Sequence, residues 1–287
     1  MIKTTEKPPI LCIEQYTREE KKENLVYVSR LSALIDQFDS IKNPHGHSFV
    51  MLMLVSEGSG IHKIDFEEYE VKPNQMFFLS PGQIHSWSLS KETEGAVLFF
   101  ESQFFSSRFG NLLYQYPFLF SNINPPLLEL TEPTLIKNLF EFACKEYQKT
   151  STNLEVMLSI IHLLLEKSNV FYHENHNITT NKTSDFVTKF DSLLSQYFKN
   201  YKEVKYYADL LSVSPNYLNS VLKTKTGLNA SSLIANKLII ESKRLLVNSP
   251  LSIKEIAFEI GFESDSYFNR FFKKKTNRTP ADFRANN

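Results

Sequence analysis

The C-terminal third of the chain contains an internal repeat, and this repeat restricts that region to pairs of helices. Ala208 aligns with Ala257 at an offset of 49 residues. One residue is then inserted in the second copy, and the offset becomes 50 for the pairs that follow: Tyr217 with Tyr267, Asn219 with Asn269, Leu222 with Phe272, and Lys223 with Lys273. A pattern that recurs over some thirty residues is stronger evidence than any single motif within it. It indicates two copies of one helical unit.

Each copy has the pattern of a helix, a tight turn and a second helix. In the second copy, Gly261 stands where a left-handed backbone must end the first helix, and Ser264 is placed to cap the next one. In the first copy, Ser212 replaces the glycine, while Ser214 and Pro215 supply a cap and a first-turn proline. This is helix-turn-helix geometry. In the second copy, the aromatic residues expected to form the buried face of the second helix are Tyr267, Phe268, Phe271 and Phe272.

The outer face of each second helix is polar and basic. Asn and Arg side chains read base edges in the major groove of DNA, and Lys binds phosphate. The simpler alternative is a solvated helix face, but two copies with matching outer residues favour DNA. The predicted DNA-binding residues are Asn216, Asn219, Ser220, Lys223, Asp265, Ser266, Asn269, Arg270, Lys273 and Lys274.

The net charge of zero conceals an asymmetry along the chain. Residues 1–179 hold 15 Lys and Arg against 22 Asp and Glu, a net charge of −7. Residues 180–287 hold 17 against 10, a net charge of +7. A basic domain suits nucleic acid or an acidic lipid surface, and charge alone does not choose between them.

The segment between the two copies, residues 231–248, has no Gly or Pro and predicts one continuous helix. A stiff connector would fix the two recognition helices relative to each other. Successive major-groove faces on one side of B-DNA lie about 34 Å apart. A single chain could then read two adjacent grooves as an asymmetric site.

Residues 252–284 resemble the second helix-turn-helix of the AraC/XylS family of bacterial transcription regulators. The resemblance extends over about residues 184–287. The family usually has Gly where this chain has Asn277, and Asn tolerates the left-handed backbone that the position requires. The matching residues are Ile256-Ala257, Gly261-Phe262, Ser266-Tyr267-Phe268, Arg270 to Lys273, Thr279-Pro280 and Phe283-Arg284.

The front half of the chain predicts a β domain followed by helices. From about residue 26 to 101, short apolar runs alternate with Gly, Pro and charged residues, which is typical of a sandwich or a small barrel. Residues 45–87 are similar to the cupin-type sensory domain of the same family. The predicted fold is therefore α+β and multidomain: a cupin-like β-barrel with a helical hairpin, then an all-α domain with two helix-turn-helix motifs.

The predicted domain boundaries follow the changes in pattern. Residues 1–130 form the ligand-sensing barrel, 131–172 a helical dimerisation element, 173–183 a polar linker, and 184–287 the DNA-binding domain. The dimer is predicted because the run "MLSIIHLLL" is longer than a helix lying on a small barrel needs to bury.

The ligand residues are predicted from alternation along the strands. Counting by twos places His85 with Trp87 on one face, and His47 with Met53 on one face of an earlier strand. Ordinary core packing remains the alternative for all four. The predicted ligand-binding residues are His47, Met53, Lys63, His85 and Trp87.

The resemblance to cupins raises the alternative of a metal site in the barrel, because cupins can bind metal through three His and a Glu. His45, His47 and His85 fit the histidine positions, but Met51 and Leu52 stand where the Glu is expected. We therefore predict no metal, no cofactor and no catalytic residue.

Together with what the resemblance implies, these patterns predict a cytoplasmic, sequence-specific transcription regulator, an activator rather than a repressor, controlled by a small-molecule effector. Its predicted partners are double-stranded operator DNA, the effector, a second copy of the chain and RNA polymerase, with no membrane. The two cysteines are far apart and indicate neither a disulfide nor a metal framework. The alternatives are a metal-dependent cupin enzyme with an accessory DNA-binding domain, and a barrel that binds another protein.

Overall fold

The computed structural model describes residues 8–16, 25–37, 43–120, 123–175 and 182–286. The chain divides into two compact units. The β unit comprises residues 8–119 and 125–179, and the helical unit comprises the chain from Thr180 onward together with Phe120–Asn124. None of the helices in the described ranges is both long and apolar enough to cross a membrane.

The β unit contains two five-stranded sheets that share one apolar core. The strand order is β1-β3-β8-β5-β6 in the first sheet and β10-β7-β4-β9-β2 in the second. Neighbouring strands are antiparallel except for the parallel pair β1 and β3. The strands are β1 (Ile10–Leu11), β2 (Val26–Arg30), β3 (His45–His47), β4 (Val50–Glu57), β5 (Gly60–Ile64), β6 (Glu67–Val71), β7 (Gln75–Leu79), β8 (Ile84–Leu89), β9 (Glu94–Phe100) and β10 (Leu127–Glu129).

Strand β4 is apolar without alternation because the second sheet is buried on both faces. Its Met51 and Met53 belong to the core between the sheets, while Leu52 is equally buried on the opposite face. That outer face is covered by other parts of the same unit. The Phe78 ring stacks on Phe118 with centroids 3.9 Å apart.

Helices α1 (Leu31–Gln37), α2 (Ser102–Phe109), α3 (Thr134–Tyr147) and α4 (Leu154–Asn175) complete the β unit. The predicted helical hairpin is confirmed as α3 and α4. The argument from its apolar run needs correction, because most of that run is buried within the chain. The buried residues of α4 in this run are Met157, Leu158, Ile160, Ile161, Leu164 and Leu165, whereas Leu163 is exposed.

The predicted linker is shorter than its polar composition indicated. Residues 173–175 are the last turn of α4, and residues 182 and 183 begin the next helix. Polar residues are compatible with exposed helix ends, so composition alone extended the linker too far. The remainder of the predicted linker, residues 176–181, lies outside the described residues.

The helical unit has one core to which all of its helices contribute, with Phe190, Leu218, Ile234 and Phe268 among its buried residues. Two helix-turn-helix motifs, α6–α7 and α9–α10, are joined by the single helix α8, as predicted. The helices are α5 (Lys182–Tyr197), α6 (Val204–Leu210), α7 (Pro215–Thr226), α8 (Ala230–Asn248), α9 (Ile253–Glu259), α10 (Asp265–Thr276) and α11 (Pro280–Ala285).

The repeat seen in the sequence is also a repeat of backbone conformation. Ser212 and Gly261 end α6 and α9 with φ angles of 56° and 78°. Gly227 and Asn277 end α7 and α10 with φ angles of 75° and 60°. The left-handed positions predicted for Gly261 and Asn277 are therefore confirmed, and Ser212 adopts the same conformation without being glycine.

The turn of the second motif lies directly against the C-terminal end of α5. A Cβ atom added to Gly261 would lie 1.8 Å from the carbonyl oxygen of Lys199. Lys202 donates hydrogen bonds to the carbonyl oxygens of Lys199 and Gly261, and Lys199 pairs with Glu259 at 2.5 Å. The second motif is thus held by the segment that precedes the first, as well as by α8.

Candidate nucleic-acid interface and ligand site

The two recognition helices, α7 and α10, begin in the same way. Ser214 Oγ accepts a hydrogen bond from the Tyr217 N–H at 3.2 Å, and Ser264 Oγ accepts one from the Tyr267 N–H at 3.2 Å. Both serines were predicted as caps and both are confirmed. The inner face of each helix is fully buried in the core of the helical unit, through Leu218 and Leu222 in one and Phe268 and Phe272 in the other.

The outer faces of α7 and α10 expose most of the predicted DNA-binding residues. On α10, Arg270, Lys273 and Lys274 are exposed together with one carboxylate, that of Asp265, whose Oδ1 accepts a hydrogen bond from the Ser266 N–H at 2.9 Å. This face is therefore positively charged. The exposed predicted residues are Asn216, Ser220, Lys223, Asp265, Ser266, Arg270, Lys273 and Lys274.

Asn219 and Asn269 differ from the other predicted residues, because both are half-buried and both make hydrogen bonds within the unit. Asn219 Oδ1 accepts a hydrogen bond from the Ala230 N–H at 3.0 Å. In the second copy the equivalent position is Pro280, which has no N–H. Asn269 instead donates from Nδ2 to the carbonyl oxygen of Asp265 at 2.8 Å.

Tyr267 does not lie on the buried face, and that prediction is wrong. Its side chain is 56% exposed, and its counterpart Tyr217 is 53% exposed. Tyr267 precedes Arg270 by three residues, and residues three apart share a helix face. The sequence does not reveal this exposure, because Tyr267 is aromatic like Phe268, Phe271 and Phe272, with which the aromatic pattern groups it as a core residue.

Four of the five predicted ligand residues come together inside the β unit. His47, His85 and Trp87 lie in one ring cluster, and Met53 lies in the same core. Lys63 does not join them. It points outward from β5 and pairs with Glu68 at 3.2 Å, because its neighbour His62 occupies the inward position.

His62 and His45 complete the cluster, which we call the histidine cluster: His45, His47, His62, His85 and Trp87. Sequence reasoning did not assign His62, although the alternation that places Ile64 inside places His62 there too. His62 Nε2 and His85 Nδ1 are 3.1 Å apart and share one hydrogen bond. The rings are closely packed, with the centroids of His45 and His85 4.2 Å apart.

The hydrogen bonds to carbonyl groups determine which nitrogen atoms of the cluster are protonated. His47 donates from Nδ1 to the carbonyl oxygen of Phe49 at 2.8 Å, and His45 donates from Nδ1 to that of Asn43 at 2.9 Å. Each ring therefore has a lone pair at Nε2 when neutral. Several other polar atoms have no hydrogen-bond partner among the described residues: His47 Nε2, His62 Nδ1, His85 Nε2 and Trp87 Nε1.

The histidine cluster is neutral at pH 7. Burial lowers the pKa of His47 and of His62 to about 3 in each case, and burial holds the pKa of His85 well below its usual value. Burial also lowers the pKa of His45. Neutral rings offer hydrogen-bond donors and acceptors but no charge to bind an anion. Within the described ranges, no group of three or more His, Cys, Asp or Glu is arranged to hold a metal ion.

A separate open cleft of about 430 Å³ lies outside the sheets, between α3 and the ends of β2, β4 and β9. Its lining includes Arg30, Lys137, Phe140, Glu141 and Cys144. Burial raises the pKa of the Cys144 thiol, so the thiol is protonated at neutral pH. This mixed-charge cleft differs in chemistry from the histidine cluster.

Two family models match the chain and together cover most of it. The model described as an AraC-like ligand binding domain matches residues 29–164, and the model described as a helix-turn-helix domain matches residues 207–286. The first match lies in the β unit apart from Phe120–Asn124, and the second lies entirely within the helical unit.

Curated relatives match along nearly their whole length. The arabinose operon regulatory protein of Escherichia coli strain K12 is 22% identical over 248 residues, which cover 85% of this chain and 83% of that protein. The HTH-type transcriptional activator RhaS of Shigella sonnei is 23% identical over 260 residues, which cover 84% and 86%. Among solved structures, ToxT from Vibrio cholerae matches with 19% identity and a TM-score of 0.42, covering 90% of this chain and 97% of that one.

Proposed function

Because the chain belongs to the AraC family of DNA-binding transcription regulators, we propose that it activates transcription through the outer faces of α7 and α10. Binding is controlled by a small-molecule effector, which we place at the histidine cluster. The observation that supports this DNA-binding surface is that the two helix-turn-helix motifs have the same geometry. Two recognition helices with the same caps and left-handed ends present polar and basic side chains outward.

Two substitutions on α10 test the DNA surface. Arg270→Ala removes a guanidinium that can bind guanine, so discrimination between operator and random DNA falls by about 1–3 kcal/mol. Lys273→Ala removes a phosphate contact, so all DNA binds more weakly and the salt dependence becomes shallower. Lys91→Ala, an exposed lysine between β8 and β9, serves as the control. Unchanged operator affinity for Arg270→Ala would contradict the proposed surface.

The effector is proposed to be a neutral molecule with an apolar body and a hydrogen-bonding group. Four buried nitrogen atoms of the histidine cluster lack partners among the described residues, and an unpaired buried polar group is unfavourable by about 1–3 kcal/mol. A ligand hydroxyl or amide group would satisfy them. The aromatic rings around them provide the apolar surroundings typical of small-molecule sites. Binding requires the closely packed rings to move apart.

Trp87 is the only tryptophan in the chain, so its fluorescence reports on this site directly. Effectors that restore or abolish operator binding should change Trp87 emission in the wild type, and Trp87→Ala should lose the transcriptional response while still binding operator DNA. Arg30→Ala tests the outer cleft in parallel. An effector that leaves Trp87 emission unchanged and requires Arg30 would place the site in the cleft instead.

A homodimer is proposed through an exposed apolar face of α3 and α4. Leu135 and Phe142 lie seven residues apart on α3, and Leu163 and Val170 lie seven apart on α4, so each pair shares one helix face. All four side chains are more than 40% exposed. In sedimentation experiments, Leu163→Glu should give monomers, whereas Ile61→Glu, at an exposed apolar residue of β5, should not. A wild type that is monomeric at micromolar concentration would rule the dimer out.

The remaining proposals concern the setting in which the protein acts. We place it in the cytoplasm, acting with RNA polymerase and without enzymatic activity. The main alternative is a metal-dependent cupin enzyme with an accessory DNA-binding domain. Purified protein with stoichiometric iron, zinc or manganese would favour that alternative, and transcription in vitro from a bound promoter would favour the activator.

A further inference from the structure

Each recognition helix exposes a tyrosine near its first turn, and we propose that Tyr217 and Tyr267 contact DNA and recognise thymine. In this proposal the ring packs against the C5-methyl group of a thymine in the major groove, and the hydroxyl donates to a backbone phosphate. The proposal rests on the DNA-binding function above and adds two residues to its surface, together with the base that they select.

The two tyrosines occupy one position of the repeat. Each lies third in its helix, and each backbone N–H is held by the cap serine at 3.2 Å. In helix-turn-helix proteins, the N-terminal residues of the recognition helix contact the base edges. Tyr217 and Tyr267 therefore lie in the part of the helix that reaches furthest into the groove, and on the same face as Ser220 and Arg270 respectively.

Their exposure distinguishes them from the other aromatic residues of the recognition helices. Phe268 and Phe272 are fully buried, whereas Tyr217 and Tyr267 leave more than half of their side chains in solvent. The residues that directly follow them, Leu218 and Phe268, are buried in the core of the helical unit. A large ring exposed at the same place in both copies is more informative than a single exposed ring, because scattered surface aromatics are normal.

Each ring is supported from one side by another aromatic residue. Tyr217 contacts Phe186 of α5 with centroids 5.9 Å apart and planes at 81°, and Tyr267 contacts Phe262 of the turn at 5.6 Å and 54°. The two phenylalanines come from different elements, yet each restricts the tyrosine ring that it contacts. Restricting a side chain before binding lowers the entropy lost on binding.

The chemistry of a supported, outward tyrosine suits thymine. Thymine is the base whose major-groove edge carries a methyl group, and apolar side chains, Phe among them, contact that methyl. Tyrosine hydroxyls are among the groups that contact phosphate oxygen atoms. One side chain can then contribute both a base contact and a positioning contact.

The experiment uses the full chain and duplex DNA enriched from a random library by the wild-type protein. Affinities are measured for the wild type, Tyr217→Ala and Tyr267→Ala on this DNA, and on versions in which single thymines are replaced by deoxyuridine, which lacks only the methyl group. Phe258→Ala is the matched control, because Phe258 is half exposed on α9 of the same motif but lies outside the recognition helices.

We expect each Tyr→Ala change to weaken binding about tenfold, and one deoxyuridine position per tyrosine to weaken binding by the wild type but not by the matching variant. Phe258→Ala should bind as the wild type does. Tyr267→Phe should keep the thymine preference, because the ring remains. Thermal unfolding followed by circular dichroism establishes that the variants are folded, and the deoxyuridine series requires no change to the protein.

Two results would overturn the proposal: wild-type affinity in both Tyr→Ala variants, or a deoxyuridine penalty that survives in them. Failure of the underlying DNA-binding function gives a different result, since the wild-type protein would then enrich no sequence from the library.

Discussion

At the scale of single residues, a glycine can be required by its backbone conformation or by lack of space for a side chain, and Gly227 and Gly261 differ in the second respect. Both have left-handed backbones, with φ angles of 78° and 75°. A Cβ at Gly227 would meet no atom within 4 Å, whereas a Cβ at Gly261 would collide with the carbonyl oxygen of Lys199. Gly227→Ala therefore introduces only backbone strain, of about 1 kcal/mol. Gly261→Ala adds a backbone collision that no side-chain rotation can relieve.

We expect Gly261→Ala to lower the free energy of unfolding by at least about 2 kcal/mol more than Gly227→Ala does. Urea denaturation followed by circular dichroism at 222 nm measures both. Equal losses in the two variants would mean that the contact between Gly261 and Lys199, in the segment after α5, does not exist in solution.

The histidine cluster predicts acid sensitivity of the β unit. Burial lowers the pKa of His47 and His62 in the folded state to about 3, while in the unfolded chain each returns to the ordinary value near 6.5. As the pH falls below 6.5, the unfolded state binds protons that the folded state does not. Stability is therefore lost between about pH 6.5 and 3, by up to about 1.4 kcal/mol per pH unit for each histidine.

The measurement is the urea midpoint from Trp87 fluorescence at pH 7.5 and pH 5.5. His62→Gln should reduce the difference between the two midpoints, because one buried imidazole is removed. Ile61→Gln, at the exposed residue that precedes His62 on β5, changes no titratable group and should leave the difference unchanged. If the wild-type midpoint is the same at both pH values, the cluster is not buried and neutral as described.

At the scale of secondary-structure elements, the two motifs begin with different capping. Ser252 Oγ accepts a hydrogen bond from the Glu255 N–H at 3.2 Å, and the Glu255 carboxylate accepts one from the Ser252 N–H at 2.7 Å. In the first motif, α6 follows Glu203, which makes no side-chain cap bond. Ser252→Ala should therefore destabilise the helical unit by about 1 kcal/mol, and Glu203→Ala should have little effect. Thermal unfolding of both variants provides the comparison, and a larger loss for Glu203→Ala would contradict it.

Helices whose ends are marked by their own residues, such as a capping serine or a turn glycine, could be predicted from the sequence. Ser264 and Gly261 mark the ends of helices by their own chemistry, so the helix-turn-helix motifs follow directly. Side-chain roles that depend on distant residues could not be predicted. Asn219 and Asn269 are aligned in the repeat, but the difference between Ala230 and Pro280, eleven residues further on, gives them different hydrogen bonds.

The errors in the candidate sites have a similar cause. The charge of Lys63 favours a ligand-binding role, although strict alternation with the buried His62 turns its side chain away from the core. Helical periodicity predicts Tyr267 on the buried face, because it treats an aromatic ring as apolar. In both cases the side chain points in a different direction from that of its sequence neighbour, and this direction decides whether it is buried. Residue type alone does not carry that information.

At the scale of the whole molecule, the helical unit should fold by itself. Its helices share a continuous core, so residues 180–287 should unfold in one cooperative transition. Phe120 belongs to the same unit, and its carbonyl oxygen accepts hydrogen bonds from Ser195 Oγ at 2.8 Å and Lys237 Nζ at 3.0 Å. The fragment lacks this acceptor, so Lys237→Met should destabilise it less than the full chain. Circular dichroism melts of the four proteins measure this, and a fragment without a cooperative transition would refute the expectation.

The unequal outer faces of the two recognition helices give the bound site a direction. Ser220 in α7 corresponds to Arg270 in α10, and Asn216 corresponds to Ser266, so on the proposed DNA surface the two helices would present different side chains to the two grooves. A promoter in which the site is inverted should retain its affinity for the protein, since the duplex sequence is unchanged. Its transcription should nevertheless change, because the protein would then face the start point from its other end. Reporter genes carrying the site in both orientations would reveal whether regulation depends on this polarity.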